Sequence, residues 1–338
     1  MGLNIRDIAA AAGVSPATVS RALRGMDNVD VSTREHVIAV ARALDYAVSP
    51  VASRLATGRS GTLGIVTPYV GGWYFAELFA GIEAALKPFD LDVLIHTTEE
   101  PTGARPSTEA HVRLRRRVDA ALVIGLAPDS KEIAGLAGLG IPLVLIGSQV
   151  DGVASVSIDD RADACRAVQH LLDLGHRRVG LISGRRLPTG FVPENDRLAG
   201  YLDALSAAHL AHPTSLREVG EFTTAGGERA MSVLLARQPR PTAVFCMSDQ
   251  MAYGALRAMS RAGVGTGTGD GAIAVMGFDD HELATTFDLS TVAQPVRAIG
   301  ALGVDLVMEQ LDGRQPRVIV LPTELRVRAS TQGSVTNR

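Results

Sequence analysis

The sequence predicts a small, purely helical N-terminal head joined to a larger two-lobed body of parallel sheets covered by helices. Three observations predict it. Within the first 45 residues, polar caps and Gly13 punctuate three short stretches with apolar residues at helical spacing. From Leu63 onward, short apolar runs alternate with longer amphipathic stretches, the pattern of parallel strands and their crossover helices. The chain has 338 residues, 46% of them hydrophobic. About 270 residues of strand-helix alternation exceed one comfortable sheet, so the body divides into two α/β lobes.

The head is read first. Ile5 to Ala12 forms a short helix ended by Gly13. Ser15 caps the next helix through its hydroxyl. Pro16 takes the first helical position, where its missing N–H costs nothing. Val19 and Leu23 lie four apart and face a core, which leaves Thr18, Ser20 and Arg21 on other faces. Two short helices around a Gly-containing turn make a helix-turn-helix, whose second helix enters the DNA major groove. The alternative is a helical cap without a ligand, but it gives the polar residues of that second helix no task.

Pro16 and Ala17 open the second helix, where base edges are reached, and offer apolar contact suited to a thymine methyl. Arg21, one turn on, either pairs with guanine or clamps a phosphate; both readings stand. Ser15, Thr18, Ser20 and the helix N-terminus suit phosphate contacts, which position without specifying. Downstream, Ser32-Thr33-Arg34-Glu35 reads as a capping box with Ser32 at the cap, and Val37, Val40, Ala41 and Leu44 extend a third helix to about Asp45. Ser49-Pro50 repeats the helix start of Ser15-Pro16, and Thr57-Gly58 stops it. Helices below about 12 residues are marginal in water. The segment is therefore a plain linker or one that folds on contact with DNA.

In the body, strands are expected at 63–67, 93–96, 120–124, 143–146, 179–182, 243–247, 273–276 and 318–321. Helices are expected at 76–86, 161–174, 196–206, 225–236, 251–262 and 297–311. Clefts beyond the carboxyl ends of such strands bind ligands.

Charge and composition narrow the classes. Net charge is −3, yet residues 1–60 hold seven Arg and five acids, so a +2 head sits on a −5 body. A mildly basic head on an acidic body suits a DNA reader carried by a sensor. Cys165 and Cys246 are distant and isolated, which argues against a disulfide framework or a zinc site and for a reducing cytoplasm. No apolar run reaches the ~20 residues of a membrane helix, and no signal peptide is visible. The glycine-rich run 263–271 lacks the spacing and Lys of a phosphate loop and leads into a strand, so it reads as a connection. Arg113 to Arg117 reads as a solvated face. His176 has no partner at metal spacing, and no G-x-S-x-G or H-E-x-x-H motif occurs. No catalytic residue, metal or cofactor is expected.

The chain is similar, end to end, to the lactose-repressor (LacI/GalR-type) family of bacterial transcription regulators. The head carries Ile5-Arg6-Asp7-Ile8-Ala9, Ala12-Gly13-Val14-Ser15 and Ala17-Thr18-Val19-Ser20-Arg21. The linker carries Tyr46 with the spacing of Ala52 and Leu55. The body carries Leu174-Gly175-His176-Arg177-Arg178-Val179, Gly277-Phe278-Asp279-Asp280 and Thr291-Val292-Ala293-Gln294-Pro295. The resemblance implies a helix-turn-helix head at 1–47, a hinge helix at 48–60 and a periplasmic-binding-protein-like body at 61–338. The implied N-lobe is about 61–159 and 293–318, the C-lobe about 160–292 and 319–330, and a polar tail follows at 331–338. It further implies a homodimer on a near-palindromic double-stranded DNA operator. The linker helices would meet in the minor groove, with Leu55 wedged into the central base step and Arg54 and Arg59 near phosphates. The family usually has Pro-Asn where Val48-Ser49 stand; Ser49 can still cap the helix, whereas any contact made by the usual Asn is in doubt.

The resemblance also implies a small-molecule effector, most often a sugar, between the lobes. Trp73, Tyr74 and Phe75 follow the first body strand; Trp73 is the only tryptophan and replaces part of a frequent Asn-Pro. A Trp there suits stacking on a sugar, perhaps of several rings; packing beneath the loop is the alternative, closest to even for Phe75. Arg197, opening the helix at 196–206, would grip hydroxyls or a carboxylate. Asp249 and Asp279 follow strands, and either could be only a helix cap. Asp160 stands where an Asn is frequent, and Gln294 near the lobe crossing is ligand or hinge. The expected function is a sequence-specific DNA-binding regulator, a repressor of carbohydrate-utilisation genes released by a sugar or oligosaccharide. The alternatives are control by a protein co-regulator or by a non-sugar small molecule, and a solute-binding protein. The head and the missing signal peptide oppose the last.

Overall fold

In the computed structural model, which describes residues 3–23, 28–44, 59–98, 109–184, 192–211 and 213–332, three helices make up the described head. They are α1 (Ile5–Ala12), α2 (Pro16–Leu23) and α3 (Val31–Ala43). Asn4 and Asp7 form a reciprocal capping box at the start of α1, and Gly13 at φ 66° ends it, a left-handed position that suits glycine. Ser15 Oγ accepts the Thr18 N–H at 3.1 Å, the expected cap of α2. The expected cap of α3 is corrected: Asp30, not Ser32, holds it, accepting the N–H groups of Ser32 and Thr33. A carboxylate accepts more strongly than a hydroxyl and suits the positive helix end. Ile8, Val19 and Val37 are fully buried at the centre, with Ala9, Ala12, Ala22 and Ala41 around them.

The head falls in the unit Met1–Gly61, and Thr62–Arg338 forms a second unit. The body's N-lobe elements run β1 (Thr62–Thr67), α4 (Gly72–Leu86), β2 (Asp92–Thr97), α5 (Ala110–Leu114), β3 (Ala120–Ile124), α6 (Lys131–Ala137), β4 (Leu143–Ile146) and β5 (Ala154–Ser157). The C-lobe follows with α7 (Asp160–Asp173), β6 (Val179–Ser183), α8 (Val192–Ala207), β7 (Arg217–Val219), α9 (Thr224–Leu235), β8 (Ala243–Cys246), α10 (Asp249–Arg261) and β9 (Ala274–Met276). The chain then crosses through β10 (Thr291–Ala293), returns with α11 (Val296–Leu311) and β11 (Val318–Val320), and crosses again through β12 (Glu324–Arg326).

Six parallel strands form the N-lobe sheet in the order β11-β5-β4-β3-β1-β2. Four parallel strands form the C-lobe sheet in the order β7-β6-β8-β9. Between them β10 and β12 pair antiparallel, Val292 opposite Leu325. Alternate residues of β3 serve opposite faces: Leu122 and Ile124 join one core cluster, Ala121 and Val123 another. This two-sided burial is what all-parallel sheets require. Placing Ile319 and Val320 in β11 moves the last crossing past Val320, beyond the expected one at Val318.

Glycines set how closely the covering helices approach. A Cβ on Gly81 of α4 would lie 2.1 Å from the Arg297 carbonyl oxygen, and one on Gly300 of α11 would lie 2.3 Å from that of Leu78. A Cβ on Gly200 of α8 would lie 2.1 Å from the Arg161 carbonyl oxygen. Backbone therefore meets backbone where α4 crosses α11 and where α7 crosses α8, a fit that any side chain would prevent.

Candidate functional site

The described part of the head presents one face of α2. Pro16, Ala17 and Arg21 are exposed, and Thr18 and Ser20 are half-buried. Val19 and Ala22 are buried beneath them, and Leu23 packs at the edge of the same core. Ser15 and Thr18 share a hydroxyl–hydroxyl hydrogen bond of 2.9 Å in addition to the cap, so each keeps only part of its capacity for an outside acceptor. The helix N-terminus, its N–H groups pointing outward, lies beside the two exposed apolar residues. Ser49, Arg54 and Leu55 lie outside the described residues.

In the body, strand ends from both lobes bring a second set of predicted residues together. Arg197 is 5% exposed. Its helix α8 begins at Val192, so it stands in the second turn and does not open the helix as expected. Arg197 Nε donates to Asp160 Oδ1 at 2.7 Å, and Nη1 donates to the Met247 carbonyl at 2.6 Å. Asp279 Oδ1 lies 3.8 Å from Nη1. The guanidinium plane rests on the Phe278 ring, 3.6 Å from its centroid. Burial works against the charge of Arg197, but Asp160 and Asp279 more than offset it and its pKa is raised. Burial pushes the Asp160 carboxyl up, and Arg197 opposes that rise.

Asp279 also accepts from Gln294 Nε2 at 2.7 Å, which ties β10 to the end of β9. Burial pushes its carboxyl up to about 7, against the pull of Arg197 and Gln294. The backbone is strained here: Asp279 and Asp280 sit at φ 127° and 58°, where non-glycine residues cost about 1–3 kcal/mol each. Asp279 N–H bonded to the Val292 carbonyl at 2.8 Å and Arg326 and Arg328 gripping Asp280 hold the turn in place.

Asp249 is fully buried and spent inside the protein. Its carboxylate accepts the His281 N–H at 2.9 Å and the Thr291 hydroxyl at 2.7 Å. Burial first, and the charge of Asp279 second, raise its carboxyl well above the usual range. The capping role belongs to the preceding residue, Ser248, whose Oγ accepts the Met251 N–H. Asp249 thus braces the Asp279 turn.

The aromatic run after β1 divides its labour. Trp73 is half-buried, and its indole N–H donates to Glu282 Oε2 at 2.6 Å, from α4 of the N-lobe to the C-lobe. Its ring leans on His281 at 5.2 Å. Tyr74 is half-buried near Asp160, Arg197 and Asp279, and burial followed by the charge of Asp160 raises its phenol above the ordinary range. Phe75 is 3% exposed and packs edge-on against Tyr69 and Tyr74, so it is core, as the packing alternative has it.

Sequence reasoning missed Phe278, the platform under Arg197, and the rim residues His281, Glu282, Glu77 and Arg297. Phe278 stood inside the quoted Gly277-Phe278-Asp279-Asp280 run and could have been singled out. Glu77 and Arg297 form a two-point ion pair 220 positions apart, which no local pattern signals. The arrangement offers a donor fork, carboxylates, an amide and an indole face between two lobes, a set suited to hydroxyl groups on a ring. Among the described residues no group of His, Cys, Asp and Glu could hold a metal ion.

Comparison with known proteins agrees with this geometry. The model of bacterial regulatory proteins of the lacI family matches residues 4–49, and that of the periplasmic binding protein-like domain matches residues 168–331. The HTH-type transcriptional regulator MalR of Streptomyces coelicolor is 34% identical, over 98% of this chain and 97% of its own. The structure of the lac repressor dimer bound to operator and the anti-inducer ONPF superposes with a TM-score of 0.85 at 28% identity, covering 98% of this chain and 100% of that one. A complex of the transcriptional regulator CelR with cellobiose gives 0.68 at 30% identity, covering 97% and 100%.

Proposed function

Because the chain belongs to the LacI family of bacterial regulatory proteins and so is a DNA-binding transcription regulator, we propose that it represses carbohydrate-utilisation genes and is released from its operator by a sugar. The observation that carries the effector half is the buried Arg197 guanidinium, set between Asp160 and Asp279 with Gln294 and Trp73 close by. Such a constellation recognises vicinal hydroxyls and gives no nucleophile a task, so the protein acts by binding and not as an enzyme. The cellobiose complex of CelR supports a saccharide ligand, and the operator-bound lac repressor supports a dimer.

In this reading, head 1–47 and linker 48–60 pair with those of a second copy on a near-palindromic operator in the cytoplasm. Arg21 reads or clamps one half-site, Pro16 and Ala17 touch a base edge, and Ser15, Thr18 and Ser20 hold phosphates. Ser49 caps the linker helix, Leu55 wedges the central step and Arg54 steadies the backbone. Sugar held by Tyr74, Asp160, Arg197, Asp279 and Gln294 favours closed lobes within 61–338. Closure alters the spacing of the paired N-lobes, and the linker helices lose their mutual contacts. A coupling of about 1–3 kcal/mol suffices for such a switch. The test is a binding assay with DNA from upstream of the protein's own gene, repeated with mono- and disaccharides. Release by a saccharide is expected; indifference of the complex to every saccharide refutes the effector assignment.

A further inference from the structure

The interlobe cleft continues past Arg197 into a second chamber of about 680 Å³. Asp279 and Gln294 line it, whereas Arg197 and Asp160 do not, so the hydrogen-bonded Asp279–Gln294 pair stands between two compartments. Walls come from both lobes: Trp73 and Glu77 from α4, Arg297 from α11, Asp280 beyond β9 and Arg326 from β12.

The chemistry of these walls is uniform. Arg297 holds Glu77 by two hydrogen bonds, of 2.5 and 3.1 Å. Asp280 is held at 2.7 Å by Arg326 and at 2.8 Å by Arg328. Each charge already has its counter-ion, so the chamber offers an ion little. Paired carboxylates and guanidiniums nevertheless keep unused lone pairs and N–H groups, which suit neutral hydroxyls. Trp73 adds a flat apolar face, with its orientation fixed by the bond to Glu282. Pockets of roughly 300–1,000 Å³ take ligands larger than a single small ring.

We propose that this chamber is a second saccharide subsite and that the effector is at least a disaccharide. One ring lies against Arg197 and Asp160; the next occupies the chamber between Trp73 and Arg326. The proposal rests on the sugar-effector reading and extends it. A ligand spanning both compartments touches Glu77 and Arg297 on one lobe and Asp280 on the other. It thereby gains contacts that exist together only when the lobes are closed, which is the differential affinity a switch needs.

The test uses the full chain, titrated with glucose, galactose and xylose and with their α-1,4- and β-1,4-linked disaccharides. Fluorescence of Trp73, the only tryptophan, and release of upstream DNA are the two readouts. At least one disaccharide is expected to bind about tenfold or more tightly than its component monosaccharide. Ala298, exposed on α11 and lining the chamber, provides the control. Ala298→Phe fills the space without touching Arg197 or Asp160. It should weaken the disaccharide about tenfold and leave the monosaccharide within about twofold. Ala298→Leu, a smaller intrusion, should do the same to a lesser degree, and thermal melts establish that both variants fold. Monosaccharides binding as tightly as disaccharides, or a disaccharide indifferent to both variants, overturn the subsite while the sugar-effector reading survives. If no saccharide moves either readout, both fall together.

Discussion

Replacing Arg197 by Met isolates the electrostatics of the cleft. The guanidinium is 5% exposed, bonded to Asp160 at 2.7 Å and to the Met247 carbonyl at 2.6 Å, and 3.8 Å from Asp279. Methionine matches its length and can still pack on Phe278, so the loss is mainly of charge and hydrogen bonds. Removing one partner of a buried ion pair costs about 3–5 kcal/mol, because the remaining carboxylate stays buried without its counter-ion. Two carboxylates, Asp160 and Asp279, are stranded here. Both escape by taking up protons, since without Arg197 burial raises each further above the usual range. A folded-state pKa raised above the unfolded value of about 4 means that the folded protein holds protons the unfolded chain has released. The penalty is therefore small below about pH 4 and grows as pH rises through the folded-state values, at about 1.4 kcal/mol per unit for each proton. Urea unfolding followed by circular dichroism should find Arg197→Met less stable than the parent by about 3–5 kcal/mol near pH 8, and by clearly less near pH 5. The double variant Asp160→Asn/Arg197→Met should recover most of the loss at the higher pH. A deficit below about 1 kcal/mol near pH 8, or one that is the same at both pH values, refutes the reasoning.

Three further outcomes follow from the same structure. Asp279 has its folded-state carboxyl pushed up to about 7, so parent stability should fall as pH rises from about 4 to that value and level off beyond it. Asp279→Asn should flatten that slope in denaturant melts across the range, and a slope retained in full would count against it. Gly200→Ala would place a Cβ 2.1 Å from the Arg161 carbonyl oxygen and 2.8 Å from the Cys165 nitrogen. This overpacking should cost about 1–3 kcal/mol and lower the thermal midpoint of the body by several degrees, and an unchanged midpoint would contradict the close α7–α8 approach. Leu55→Ala should weaken operator binding sharply without altering sugar affinity; titration of both ligands checks it, and unchanged operator affinity removes the wedge role.

Much of the fold was legible because periodicity is a local signal. The strands at Ala120–Ile124 and Leu143–Ile146 fall where the apolar runs put them, since a strand buried on both faces shows as uninterrupted aliphatic sequence. The strands that escaped notice are short and mixed: Ala154–Ser157 alternates with serine, and Arg217–Val219, Thr291–Ala293 and Glu324–Arg326 have three residues each. Their strand character comes from a neighbour across the sheet. The same contrast holds in the site. Arg197, Asp160 and Asp279 were legible at strand and helix ends, but the direction of each side chain was not. Phe75 and Trp73 are two positions apart; one is core and the other bridges the lobes, because helix α4 turns them to different sides.

By itself the sequence determined the capped turn from Gly13 to Arg21, the strand-helix alternation and the family to which the chain belongs. These depend on caps, turn residues and periodicity, which act over a few residues at a time. Only the tertiary structure decided that Asp249 braces a strained turn, that Arg197 is held by two aspartates and a carbonyl, and that Glu77 meets Arg297 across 220 positions. Burial, desolvation and the pairing of charges are properties of who lies beside whom, and that is set by how the two sheets and their crossing strands pack.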